Sequence, residues 1–372
     1  MYRRYGSTLI LAVLLVSVSV FSLFIGALDV NPQGLLDGDM EQLHIFAVSR
    51  LPRLLAILCT GVGMSVAGLI MQQLCMNKFV SPTTGATIQS AQFGIAAAMV
   101  CLPTMGLLTR TLFAFAAAIL GTLIFVFCVQ RIKIKDTVLV PLVGIMFGNI
   151  IGGVTNFIAY QWEINQQLST YFSGSFALII KGNYELVYLV APLVILAFIY
   201  ANYFNIVGMG QDFTKNLGIN YNLILILGLS ISAVITASIV VIVGQISYIG
   251  LIVPNIVALF KGDKIRGTLV DTALFGALFV LSCDLIARSI IMPYEIPIEL
   301  VVGILGSIIF ICMLLYKLNH KNAVGVSGTF LKRLKQETGR ENKVCSASQS
   351  AAHTTQTSHL PHGEKKEVAY VD

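Results

Sequence analysis

Charge is what this sequence has little of. Only 11% of its 372 residues are Asp, Glu, Lys or Arg, while 56% are hydrophobic. Soluble domains carry about 25% charged residues, so this chain cannot clothe a globular surface in charge. Its cysteines, at 59, 75, 101, 128, 283, 312 and 345, form no C-x-x-C pair, which leaves neither a disulfide framework nor a zinc or iron–sulfur site indicated and makes them apolar packing residues. A G-x-x-x-x-G-K-[ST] phosphate loop is missing, so any nucleotide hydrolysis belongs to another subunit. The few charged residues among the apolar runs are too scattered for acid–base, nucleophilic or metal chemistry, and the chain reads as neither an enzyme nor a nucleic-acid binder.

What is present is apolar sequence in long runs. A hydrocarbon core about 30 Å thick takes about 20 apolar residues per helix. Hydropathy places helices near 7–28, 52–75, 90–107, 111–130, 138–162, 184–204, 222–243, 247–260, 269–292 and 298–317, an all-α polytopic membrane protein of about ten spans. The first run follows Arg3 and Arg4 but exceeds a signal peptide's apolar region and lacks a small-x-small cleavage site, so it reads as a retained helix. The eighth contains Pro254, whose missing N–H frees a carbonyl that a neighbour or a polar cavity must satisfy, so it reads as a partial span.

Lysine and arginine set the orientation. With the N-terminus inside, twelve basic residues (3, 4, 78, 131, 133, 135, 215, 261, 264, 266, 317 and 321) fall at cytoplasmic ends and five (50, 53, 110, 181 and 288) outside, which favours N-in and C-in. The membrane domain is expected over 1–319. Residues 320–372, rich in Ser, Thr, Gln, His and Lys, offer nothing to bury and read as a disordered cytoplasmic tail. Its His353, His359 and His362 fit no ordinary metal signature. Its "FLKRLK" stretch, residues 330–335, reads as a solvated segment.

Within "RLPRLLAILCTGVGMSVAGLIMQQ", residues 50–73, Gly61, Ser65, Gly68 and Gln72 share one helical face, so a second helix must approach it closely. Gln72 in hydrocarbon needs a partner or a polar passage, and is a candidate for the pathway. Arg50 and Arg53 lie on one face at the outer end, with Pro52 placed for a first turn. They suit either snorkelling to lipid phosphates or docking of an acidic external partner. Asp284 and Arg288, four apart with the acid first, suit a helical ion pair.

These stretches carry a resemblance. The segment from Arg50 through "NKFVSPTTGA", and "GQISYIGLIVPNIVALFKGD" followed by "CDLIARSIIMPYEIPIELVVGILGSIIFICMLLYK", resemble the permease family of type II ABC importers for iron chelates and cobalamin, over residues 1 to 317. The resemblance implies two permease subunits of ten helices around a central passage, two cytoplasmic ATPases that bind ATP and Mg, and an external binding protein or lipoprotein, all at the bacterial cytoplasmic membrane. No cofactor is implied on this chain. Arg50 and Arg53 match the family's R-L-P-R, and Arg288 the arginine after D-L-x-A; in relatives such arginines can pair with acidic knobs on the binding protein. "GMGQDFTKNLGIN", residues 208–220, resembles the coupling element seated in an ATPase cleft, with Gly210, Thr214, Leu217 and Gly218 at matching places and Thr214 where alanine is usual. The fifth helix of the family lines the passage, which here implicates Asn149 and Asn156. "NKFVSP", with Lys78 for the usual proline, resembles permeases for catecholate siderophores of the petrobactin or enterobactin type. The expected function is ferric-siderophore import, with cobalamin or haem import and an ion-coupled carrier as alternatives.

Overall fold

The computed structural model describes residues 2–25, 39–84, 86–104, 106–131, 139–182, 184–262, 265–291 and 294–316. The expectations about the tail, its histidines and its basic segment lie outside these residues. Residues 1–310 form one compact unit; those from 311 onward form a second, described only to 316.

Among the described residues, eight helices are long and apolar enough to cross a membrane: α1 Tyr2–Phe24, α2 Met40–Leu74, α4 Leu107–Arg131, α5 Leu139–Gln161, α7 Glu185–Val207, α9 Tyr221–Val243, α11 Ile265–Ser289 and α12 Ile298–Tyr316. Two apolar helices are shorter, α3 Thr87–Cys101 and α10 Ile249–Lys261. Two polar helices lie between spans, α6 Asn165–Phe172 and α8 Gln211–Asn216. At about 1.5 Å per residue the 13-residue α10 reaches only about 20 Å, the partial span that its sequence suggested.

The axis of the bundle is α2 with α9, whose most apolar stretches are 78% and 72% buried, against 6% for α1 and 22% for α5 and for α7. The small-residue face of α2 explains its burial. A Cβ on Gly61 would sit 2.5 Å from the Ala277 Cα of α11, and one on Gly68 would sit 1.9 Å from the Gly250 carbonyl oxygen of α10. Two helices rather than one therefore meet this face backbone to backbone.

Pro254 in α10 and Pro52 in α2 interrupt the hydrogen-bond ladder, and each freed carbonyl finds a donor elsewhere. Pro254 cannot donate to Gly250, and the Gln72 Nε2 donates there instead at 3.2 Å, and to Leu251 O at 3.1 Å. Gln72, a candidate for the pathway from the sequence, is buried, with its amide nitrogen donating to the α10 backbone. The Asn255 Nδ2 adds bonds to Leu251 O and Lys78 O, both 2.7 Å, and Pro82 packs against Gly250. The "NKFVSP" loop is thereby a clasp on α10. Pro52 stands in the first turn of the α-helical stretch Leu51–Leu74, as expected, but that stretch continues back to Met40 through a π turn at Phe46–Arg50. Its freed partner, Val48 O, accepts the Lys181 N–H at 3.0 Å.

Candidate functional site

The sequence-predicted residues gather at three places. The first is the end of the bundle where α2 begins and α11 finishes. Arg53 reaches the Asp284 Oδ1 at 2.9 Å with Nη2, and both Glu295 carboxylate oxygens at 2.8 and 2.9 Å with Nη1. Asp284 and Arg288 lie together, with the Arg288 Nη2 2.7 Å from the Asp284 Oδ2. Arg288 also donates to the Ser22 hydroxyl at 2.6 Å and to Ile25 O at 2.8 Å, and Arg50 donates to the same Ile25 carbonyl. Within this chain the three arginines expected at a docking face are held by internal acceptors. Arg50 and Arg288 are 8% and 3% exposed, and the group is an internal network of three cations and two carboxylates tying α1, α2 and α11 together. Carboxylates in the loop after α11 and deep within it draw the guanidinium groups inward, because a desolvated cation needs a counter-charge.

The same logic operates at the opposite end, where Lys261 of α10 pairs with Asp271 of α11 and the Thr8 hydroxyl donates to Asp271 at 2.7 Å. Asp271, 3% exposed, is thus a second buried carboxylate of α11 besides Asp284.

Near that end, Gly210 (φ +110°) and Gly218 (φ +73°) bracket α8, in conformations that an L side chain rarely adopts. Thr214 is fully buried and its hydroxyl donates to Gly210 O at 2.7 Å and Ile206 O at 3.2 Å, so threonine in the usual alanine position adds an anchor. Met209, Phe213 and Leu217, one turn apart, are 58%, 44% and 53% exposed and form an apolar ridge that nothing among the described residues covers.

The third place is α5. Asn149 and Asn156 are exposed, seven residues apart on one face with exposed Gly153 between them. Gly148 and Gly152 instead pack against the Gln89 side chain of α3. The structure keeps Asn149 and Asn156 together and separates them from Gln72.

A fourth feature was not legible beforehand. At the Arg50 end a cavity of about 680 Å³ is lined by Arg110, Gln166, Gln167, Thr170, Tyr171 and Ser173, with Val241 to Val243 along its wall. The Tyr171 hydroxyl lies 3.0 Å from the Thr111 hydroxyl and donates to Val241 O at 3.2 Å. Burial raises its pKa, partly offset by the Thr111 bond and the Arg110 charge. No single run of sequence contains this lining.

Residues 13–316 match the FecCD transport family. A petrobactin import system permease protein of Bacillus subtilis, YclN, is 45% identical, covering 82% of this chain and 96% of its own. The ferric-anguibactin transport system permease protein FatD of Vibrio anguillarum is 36% identical over 79% of this chain and 94% of its own, and the petrobactin import permease FatD of Bacillus anthracis 34% over 83% and 91%. A solved chain of an ABC transporter assigned to the metal-chelate type, in an inward-facing conformation, superposes with a TM-score of 0.74 at 24% identity, covering 84% of this chain and 99% of that one. That likeness identifies the fold as that of a type II ABC importer permease. With the match running from the first apolar helix to the last, the chain belongs to the FecCD transport family.

Proposed function

We propose that this chain is the permease subunit of an ATP-driven importer of ferric siderophores, catecholate chelates of the petrobactin type being the cargo. The observation that carries the reading is the 45% identity over nearly the whole length of a petrobactin import permease. The subunit works with a second permease, identical or paralogous, with two ATPases that hold ATP and Mg, and with an external binding protein. Its N-terminus is cytoplasmic, by the lysine and arginine distribution.

Each place in the structure then takes a role. The Met209–Phe213–Leu217 ridge seats in the ATPase, and residues 210–218 pass its closure to α7 and α9. Asn149 and Asn156, costly to expose to lipid, face the passage between two permeases. Arg50, Arg53 and Arg288 meet the binding protein by exchange: its acidic groups take over guanidinium donors now held by Asp284 and Glu295, so docking loosens α11 from α2. An ion-coupled carrier would keep a titratable carboxylate free for its ion, whereas Asp271 and Asp284 each hold a cation.

Uptake of ⁵⁵Fe supplied as several ferric siderophores, in cells lacking the chain, tests the reading. Loss of uptake for petrobactin-type chelates, restored by the wild-type chain, supports it. Unchanged uptake of every chelate, with no paralogue substituting, refutes it.

A further inference from the structure

The cavity beside α6 is built where a membrane protein should have no irregular backbone. The hydrocarbon core is about 30 Å thick and α10 spans about 20 Å of it, so the chain between α9 and α10 must cross the remaining ~10 Å without helical hydrogen bonds. It does so as extended chain paired to the segment after α6: the Ser175 N–H donates to Val243 O and the Gln245 N–H to Phe172 O, both 2.9 Å. Gly244 adopts φ +89° to leave α9. Non-helical backbone at this depth persists where it is enclosed by protein or borders a polar, water-filled space. The cavity lined by Ser173, Ser175 and Val241 to Val243 borders this backbone.

Its lining has a sign. Arg110 is the one charged residue among the described lining residues, and no carboxylate stands among them. One Arg110 nitrogen donates to Pro103 O at 2.8 Å, while its buried Nε has no partner. Amide and hydroxyl groups of Gln166, Gln167, Thr170, Tyr171 and Ser173 complete a wall able to donate hydrogen bonds from several directions. Such a wall rejects a cation and suits an anion rich in acceptor oxygens. The volume is that of a small-molecule site.

We propose that this cavity is a transit site for the anionic, oxygen-rich ferric chelate on its way from the binding protein into the passage, with Arg110 as the charge that holds it. This rests on the import function proposed above. Fe(III) bound by dianionic catecholate oxygens carries net negative charge, and its outer oxygens accept from a guanidinium and from amide N–H groups.

The test uses the complete importer, with permeases, ATPases and binding protein, reconstituted in liposomes and supplied with ⁵⁵Fe-petrobactin. Arg110→Gln is expected to lower the saturated uptake rate at least about fivefold, and Arg110→Lys to retain more than about half of it. Binding-protein capture and basal ATP hydrolysis stay unchanged in both. A second readout follows occupancy: in a Cys101→Ser background, Thr170→Cys is labelled by an impermeant maleimide. Labelling is expected to slow when the docked binding protein carries the ferric chelate, relative to the empty binding protein, and Arg110→Gln abolishes that difference.

Full uptake in both Arg110→Gln and Arg110→Glu, or equal labelling with loaded and empty binding protein, overturns the transit site while leaving the import function standing. Loss of binding-protein capture in the Arg110 variants also overturns it, by placing the residue in docking. A wild-type importer that moves no ferric siderophore at all refutes the underlying function instead.

Discussion

At the scale of single residues, polar side chains inside this chain mend defects rather than decorate a channel. Gln72 substitutes for the hydrogen-bond donor that Pro254 lacks, so Gln72→Leu should destabilise the folded permease by roughly 1–3 kcal/mol through the unsatisfied Gly250 carbonyl, Leu251 O keeping its bond from Asn255. Thermal unfolding in detergent reads this. Transport per folded molecule should stay near wild type; a normal melting temperature with lost transport would restore Gln72 to the pathway. Asp284 stands between Arg53 and Arg288, both almost without water. Asp284→Asn leaves two buried cations short of a counter-charge and should cost roughly 3–5 kcal/mol, measured as a fall in melting temperature and in yield. The arginines looked like surface residues in the sequence because Glu295, one of their partners, lies 242 positions from Arg53.

At the scale of elements, the exposed ridge of α8 and the buried Thr214 beneath it separate recognition from anchoring. Phe213→Glu alters a side chain that is 44% exposed, so the melting temperature should hold, with a stability change within about 0.5 kcal/mol. Co-purification of the ATPase should nevertheless fall more than tenfold, and full retention of the ATPase would remove α8 from the coupling role. Apolar periods made the long helices legible, and α8 was found through the resemblance of residues 208–220 to the coupling element. Helix α6 was not, because "NQQLSTYF" has too little apolar character to announce itself, and α2 begins twelve residues before its predicted start at 52 because the stretch from Met40 to Leu51 carries polar and charged residues that interrupt the apolar run. Pro52 looked like a helix start; continuation through a π turn became possible only because Lys181 supplies a donor to Val48.

At the scale of the whole molecule, the distribution of burial separates a rigid axis from working faces. Helices α2 and α9 are enclosed, while α5 presents Asn149, Gly153 and Asn156 to the outside of the chain. Two asparagines facing lipid would be expensive, which supports the proposal that this face meets a partner subunit or the passage. Asn149→Leu/Asn156→Leu should leave the melting temperature unchanged and reduce siderophore uptake severalfold. An unchanged uptake rate would place both residues against lipid or in inert packing.

Hydropathy and small-residue spacing by themselves determined the class of this protein, the positions of its apolar helices and the close-packing face of α2, because those properties are local and repeat with the helical period. Tertiary structure alone decided which charges are buried, which carbonyls the prolines leave to be mended, and where extended backbone encloses the Arg110 cavity. Each of these depends on groups tens to hundreds of residues apart, and desolvation makes their pairing obligatory only once the helices have come together.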